Sequence, residues 1–302
     1  MPQVKANGIE IEYESFGNEA DPVVLLIHGF AAQMTLWPVA LCEGLVARGF
    51  RVIRFDNRDV GKSTHLLDKN APQLREVIAQ VVAGQNPLVP YRLEDMAADA
   101  VGLLDALGIK QAHIVGASMG GMIAQLVAIH YPAKTRSLVS IMSTTAKRGL
   151  PQAKPEIMAA LVAPPASTGR EDRIVAALRA WRAMGNPGYP DSDEQLRARA
   201  EREVDRSPWE PTGFTRQMAA IIVAPPRNDL LKDVHAPTLV VHGADDGLVP
   251  PEGGKDTADS IPGAELVIVP GMAHDLSEPL VPVVLKPIGA FLTKVEARAR
   301  VG

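Results

Sequence analysis

The chain has 302 residues, 46% of them hydrophobic and 22% charged, which is long enough for one large-cored domain carrying an insertion. Lys and Arg total 31 against 35 Asp and Glu, for a net charge of −4, and no long basic run occurs, so a nucleic-acid partner has no electrostatic support. The single cysteine, Cys42, excludes an intramolecular disulfide and a thiolate metal cluster.

Met1 to Glu14 alternates polar and apolar residues and lacks the apolar centre of a secretion signal. No apolar run approaches the roughly 20 residues that span a bilayer. These features predict a soluble, cytoplasmic protein with no membrane span; they assign no oligomeric state. Val4 to Phe16, with Asn7-Gly8 inside it, has the pattern of a β-hairpin. Val23 to Ile27 is a continuous apolar run, as in a parallel-sheet strand buried on both faces. Leu36 to Arg48 has helical spacing and is closed by Gly49; Cys42 within it is a small buried hydrophobe. Arg51 to Phe55 is a second strand, followed by the polar loop Asp56 to Ser63. His65 to Pro90 is irregular around the helix-like stretch Leu74 to Ala83 and is expected to fold over the same end of the sheet.

Leu93 to Leu107 is a helix stopped by Gly108. Ala112 to Val115 is a strand, Met119 to His130 a helix ended by Tyr131-Pro132, and Ser137 to Met142 a strand. From about Thr145 to Asp233 the alternation stops; helical patterns, clearest at Glu171 to Met184 and Glu194 to Val204, are separated by proline and glycine. The sequence Val-Ala-Pro-Pro occurs at Val162–Pro165 and at Val223–Pro226, as two punctuation points rather than a repeat fold. The rhythm then resumes with strand Thr238 to Val241, helix Glu252 to Ser260, strand Glu265 to Val269 and a closing helix Leu280 to Ala297. Alternating strands and helices predict a mostly parallel, doubly wound α/β sheet. Residues 1–145 and 234–302 are expected to form its core, and 146–233 a helical cap.

Gly116-Ala117-Ser118-Met119-Gly120 lies between a predicted strand and a predicted helix. A serine in such a corner adopts a strained backbone, its neighbours two away must be small, and the helix N-terminus faces any negative charge that develops beside it. Ser118 is therefore the candidate nucleophile. A serine hydroxyl needs a base within hydrogen-bonding reach, and seven histidines are available.

From this motif the chain resembles the α/β-hydrolase family along nearly its whole length. Its Gly116-to-Gly121, Asp56-to-Ser63 and Gly271-to-Leu276 segments are similar in form to bacterial carboxylesterases of the aclacinomycin methylesterase and mycobacterial lipase/esterase type. The resemblance implies the chain order Ser, acid, His, which puts the base after the cap and selects His274, in the loop after the last strand, over His235 and His242. It aligns Gly243-Ala-Asp-Asp246-Gly-Leu-Val-Pro250 with the family's acid loop, making Asp246 the acid and Asp245 a turn residue; Asp275 is assigned to a local cap. His28-Gly29-Phe30 resembles the oxyanion loop, with the backbone N–H groups of Phe30 and Met119 as the two donors and His28 as a structural residue. Asp56-Asn-Arg58-Asp59-Val-Gly-Lys-Ser63 resembles the family's D-x-R-x-x-G-x-S loop, in which an Asp/Arg pair is expected to pin the loop; Asp59 stands where glycine is common.

The implied activity is hydrolysis of small to medium acyl or aryl esters by a Ser-His-Asp acyl-enzyme mechanism, with a small-molecule ester as partner, no cofactor and no metal. Ser118 argues against relatives with an aspartate nucleophile. A cofactor-free perhydrolase, a lactonase or a C–C hydrolase fits the same residues, and a ligand-sensing receptor on the same fold is the reading from another class. Ile221, Ile222, Val223, Leu161 and Met158 are either an apolar ceiling over the substrate or ordinary contacts between cap and sheet.

Overall fold

A computed structural model describes residues 1–207 and 210–299. Strands β1 (Gln3–Ala6) and β2 (Ile9–Phe16) form an antiparallel hairpin. Its turn places Asn7 and Gly8 at φ 46° and 83°, the left-handed region that two-residue hairpin turns require. The other strands are β3 (Val23–Ile27), β4 (Arg51–Phe55), β5 (Ala112–Ala117), β6 (Thr135–Ile141), β7 (Thr238–Gly243) and β8 (Glu265–Val269). They complete an eight-stranded sheet of order β1-β2-β4-β3-β5-β6-β7-β8, parallel from β4 onward.

All five residues of β3 are buried because both faces of the sheet are covered. Side chains alternate across a strand, so Leu25 and Ile27 pack with helices α3 (Leu93–Ala106) and α4 (Met119–His130), while Val24 and Leu26 face α1 (Val39–Val46) and α10 (Val281–Ala299). Each such side chain contributes roughly 1.5–3 kcal/mol by leaving water. Cys42 is fully buried in the second of these cores, as its apolar surroundings predict. The helix expected over Leu36 to Arg48 is shorter: Met34–Leu36 is a 3-10 turn, and α1 begins only after Pro38. Proline has no N–H to continue a helix, but it suits the position before the first turn.

Between β6 and β7 lie α5 (Pro155–Val162), α6 (Arg170–Met184), α7 (Asp193–Arg206) and α8 (Pro211–Ile222), with no strand among the described residues. Both Val-Ala-Pro-Pro segments end helices, α5 and α8. Ser192 caps α7 reciprocally with Gln195, and α6 and α7 share a small core of Ile174, Leu178, Leu196 and Ala200. Arg227, 1% exposed, ties the returning chain to the departing one: its N–H donates to the Thr145 carbonyl at 2.9 Å and its guanidinium to the Thr144 carbonyl at 2.9 Å. The helix-like stretch after His65 is α2 (Leu74–Val82), which packs on α8. A further helix, α9 (Pro251–Ser260), links β7 to β8. No helix among the described residues is long and apolar enough to cross a membrane.

Candidate active site

The parallel strands deliver their carboxyl-end loops to one edge of the sheet, the usual location for ligands in such folds. Ser118 sits there between β5 and α4 at φ 55°, ψ −123°, a conformation costing on the order of 1–3 kcal/mol that persists only because its surroundings over-determine it. Its N–H donates to the Ile141 carbonyl at 2.9 Å, and its own carbonyl accepts from the Gly121 N–H at 2.9 Å and the Ser143 hydroxyl at 2.8 Å. A side chain on Gly116 would collide with the Gly120 backbone, and one on Gly120 with the Ile27 carbonyl. The small residues are thus demanded by backbone packing against the serine corner.

His274 follows β8 and Asp246 follows β7. The His274 Nε2 lies 2.9 Å from the Ser118 Oγ, and its Nδ1 lies 2.7 Å from the Asp246 Oδ2. An ionised carboxylate only accepts, so Nδ1 carries the proton and Nε2 is left to accept from the serine hydroxyl. The other oxygen of Asp246 accepts from the Leu248 and Val249 N–H groups, each at 2.9 Å. Burial alone would push the Asp246 carboxyl up, but the His274 imidazole and the bonds from His242 and His274 hold it well below the usual carboxylate range. Residues separated by 156 and 28 positions in the chain thus meet in one hydrogen-bonded line.

His235, His242 and His28 have other surroundings. His235 is exposed and precedes β7, away from the carboxyl-end edge. His242 is fully buried, bonded through Nε2 to the Val249 carbonyl at 2.8 Å and 3.5 Å from Asp246. His28 accepts the Gly29 N–H at 2.7 Å and packs edge-on against Trp37; burial, with Arg199 next in effect, lowers its pKa to about 3, so it stays neutral. Asp245 is exposed and accepts the Gly271 N–H at 2.8 Å, a loop-holding role.

Met119 follows Ser118 as the first residue of α4, and Phe30 lines the same cavity as the serine. The alpha carbon of Gly29 approaches so closely that a methyl group there would lie 3.0 Å from the Ser118 Cβ. Gln217 of α8 holds this loop by accepting the Ala31 N–H at 2.8 Å, and its amide donates to the Arg58 carbonyl at 2.8 Å. Phe214, one turn earlier on α8, packs edge-on against Phe30.

The Asp56–Ser63 loop departs from expectation, because Asp56 and Arg58 do not pair with each other. Asp56, with no exposed surface, accepts the Met34 and Lys62 N–H groups and pairs with Arg206 of α7 at 2.8 Å. Arg58 instead grips Asp99 of α3 with two bonds of 2.6 Å. Asp59 takes the positive φ of 66° that glycine would adopt more easily, and its carboxylate binds Arg216 of α8, the Tyr91 hydroxyl and the Leu66 N–H. Asp275 also does more than cap locally: besides the Leu276 N–H, it accepts two bonds from Arg199 of α7.

Above Ser118 opens a cavity of about 770 Å³, in the upper part of the range for small-molecule sites. Its helical wall includes Leu161, Trp181, Met184 and Phe214. Of the five residues considered for an apolar ceiling, Leu161 lines this cavity; Ile221 packs on the sheet core and Met158 is 37% exposed. Phe214 and Ile221, seven residues apart, share a face of α8, so it is their position along the helix axis that puts Phe214 at the cavity and Ile221 on the sheet core. Gln217, Arg199, Arg206 and Arg216 were invisible as site supports in the sequence. Each is a polar helix residue whose partner lies far away in the chain.

Comparison with known proteins shows the family and the fold. The profile of the alpha/beta hydrolase fold family matches residues 22–278. Rhodomycin D methylesterase DauP of Streptomyces sp. (strain C5) is 30% identical over 285 residues, covering 87% of this chain and 88% of the relative. The 3-oxoadipate enol-lactonase 2 of Acinetobacter baylyi is 26% identical over 243 residues, covering 80% and 78%. Among solved structures, a thermophilic esterase from Thermogutta terrifontis superposes with a TM-score of 0.65 at 27% identity, covering 98% of this chain and 99% of that one. By its sheet order, its strand–serine–helix corner and the match across residues 22–278, this chain belongs to the alpha/beta hydrolase fold family.

Proposed function

We propose that this chain is a serine carboxylesterase acting on small to medium acyl or aryl esters, with Ser118 as nucleophile, His274 as general base and Asp246 as the acid that orients it. One observation carries the reading: the unbroken line Ser118 Oγ, His274, Asp246 Oδ2, with links of 2.9 and 2.7 Å. His274 takes the hydroxyl proton as Ser118 attacks the ester carbonyl. The Phe30 and Met119 N–H groups receive the oxyanion, where losing one such donor typically costs about 3–4 kcal/mol. His274 then protonates the departing alcohol and afterwards activates the water that releases the acid. Asp246 keeps the imidazole in the tautomer that leaves Nε2 free to accept.

Residues 146–233 act as a cap whose helices enclose the substrate. The mostly apolar cavity suits the hydrocarbon or aromatic part of an ester, and its size admits more than a short acyl chain. Methylesterase relatives at 30 and 29% identity support an ester substrate. The similarity to an enol-lactonase keeps a cyclic ester in view as a second substrate class, since the same three residues open either bond.

Fluorophosphonate labelling of wild type and Ser118→Ala tests the chemistry. Label on the wild type alone is expected, and an unlabelled wild type refutes the proposal. A chain-length series of nitrophenyl esters run beside a lactone then tests the substrate class. Rates rising steadily to the longest acyl chains would count against the proposed size range.

A further inference from the structure

His274 is held from outside the α/β core. The loop 271–277 has few bonds to the sheet and many to the connection between α6 and α7. The His274 N–H donates at 3.1 Å to the carbonyl of Met184, the last residue of α6, where helix carbonyls lack internal partners. The next contacts all come from Asn186, which is 2% exposed. Its Oδ1 accepts the Ala273 N–H at 2.7 Å, and its Nδ2 donates to the Asp275 carbonyl at 3.2 Å and to the Ser277 Oγ at 2.8 Å. One amide therefore binds the residues immediately before and after the imidazole. The assignment of its two ends is self-consistent, because the oxygen faces a donor and the nitrogen faces a carbonyl. Farther along, the Gly188 N–H donates to the Gly271 carbonyl at 2.9 Å and the Ser277 hydroxyl to the Tyr189 carbonyl at 2.7 Å.

We propose that Asn186 is a positioning residue for the catalytic line: it fixes the backbone on both sides of His274, so that the imidazole reaches Ser118 and Asp246 at once. This rests on the hydrolase reading above. All three groups it satisfies are buried, and a buried N–H or carbonyl left without a partner is costly enough to make the loop rearrange. A rearrangement of about 1 Å at a reacting group costs on the order of a hundredfold in rate. The position of the base thus depends on a residue of the cap, although the base itself belongs to the core.

The test compares wild type, Asn186→Leu and Asn186→Asp on a nitrophenyl ester, with turnover counted per serine titrated by fluorophosphonate. The proton NMR signal of the His274–Asp246 hydrogen bond is followed in each. For Asn186→Leu the expected result is a fall in kcat of about 30- to 100-fold with KM within about threefold, and loss of the bridging-proton signal. Asn186→Asp keeps the acceptor for Ala273, and its kcat is expected to fall less, by about 5- to 10-fold. Asn186→Leu turning over within about threefold of wild type per titrated serine, with the proton signal intact, overturns the proposal. Should Asn186→Leu not fold, Asn186→Asp and Ser277→Ala decide, and kcat unchanged in both overturns it. An unreactive wild-type serine refutes the hydrolase reading instead; the bridging-proton signal still decides the positioning role, because it does not depend on turnover.

Discussion

Arg199 and Asp275 form a two-pronged ion pair, Nη1 to Oδ2 at 2.9 Å and Nη2 to Oδ1 at 2.7 Å, immediately beside His274. The guanidinium also lies 4.4 Å over the Trp181 ring, and Asp191 approaches it at 3.6 Å. Little of either charged side chain reaches solvent, 11% for Arg199 and 8% for Asp275. The 146–233 segment and the 271–277 loop are thereby joined by charge as well as by the Asn186 amide.

Removing one partner of a buried pair leaves the other charge uncompensated, which typically costs about 3–5 kcal/mol. Arg199→Met is therefore expected to lower the stability to urea by that amount. Arg199→Met combined with Asp275→Asn should recover part of it, since Asp275 no longer carries a charge and only Asp191, 3.6 Å from the guanidinium, still loses that partner. A single variant as stable as wild type would show that the pair contributes nothing net.

Asp246→Asn keeps the shape of the acid but turns one acceptor into a donor, so the Nδ1–H of His274 loses its partner and the other tautomer is favoured. In serine triads this exchange lowers kcat by about 10⁴. The same fall is expected here with KM nearly unchanged, measured on a nitrophenyl ester. A loss below about tenfold would mean that Asp246 does not orient the base.

Gly120→Ala tests the packing behind the Ser118 corner. The new methyl would run into the Ile27 carbonyl, a backbone atom of a central strand that has no room to retreat. A destabilisation of about 3 kcal/mol or more is expected, at the upper end for overpacked cores. Urea midpoints of the variant and wild type measure it, and a loss under about 1 kcal/mol contradicts the packing argument.

Acid sensitivity should trace in part to His113, which is 1% exposed and bonded to the Ser137 hydroxyl at 2.7 Å and to Glu296 at 3.1 Å. Burial, opposed by Glu296, lowers its pKa from 6.5 to about 4. The unfolded chain therefore binds a proton that the folded one refuses between those values. The associated stability is fully present above pH 6.5 and is lost as the pH falls toward about 4, up to about 3 kcal/mol in all. His28, lowered to about 3 mainly by burial, acts in the same direction. His113→Gln should flatten the fall of stability with acid by about 1.4 kcal/mol per pH unit in this window. Parallel urea-midpoint curves for the variant and wild type would remove His113 from the account.

The parts of the site that could be read from the chain are those whose cause is local. Gly116, Ser118 and Gly120 are constrained within five consecutive residues by one strand-to-helix corner, so the pattern itself states the geometry. Asn7-Gly8 was legible for the same reason. Local reasoning failed at Asp56 and Arg58: two residues apart in a loop, they point to different helices, toward Arg206 and Asp99. The one-turn error at the start of α1 has the same origin in reverse, since the apolar spacing of Leu36 continues a helix that Pro38 does not join.

Apolar runs and glycine stops were enough to determine a parallel sheet with helices on both faces, because burying those runs leaves few other arrangements. The serine corner was likewise written in the sequence, whereas the order of the three polar residues along the chain came from the family resemblance. Which side chains hold that line in register was decided only by folding. Asn186 and Arg199 meet the loop around His274 across 87 and 76 residues, and Gln217 meets the loop after β3 across 186. A hydrogen bond depends on distance and direction in space, and at such separations a linear pattern carries neither.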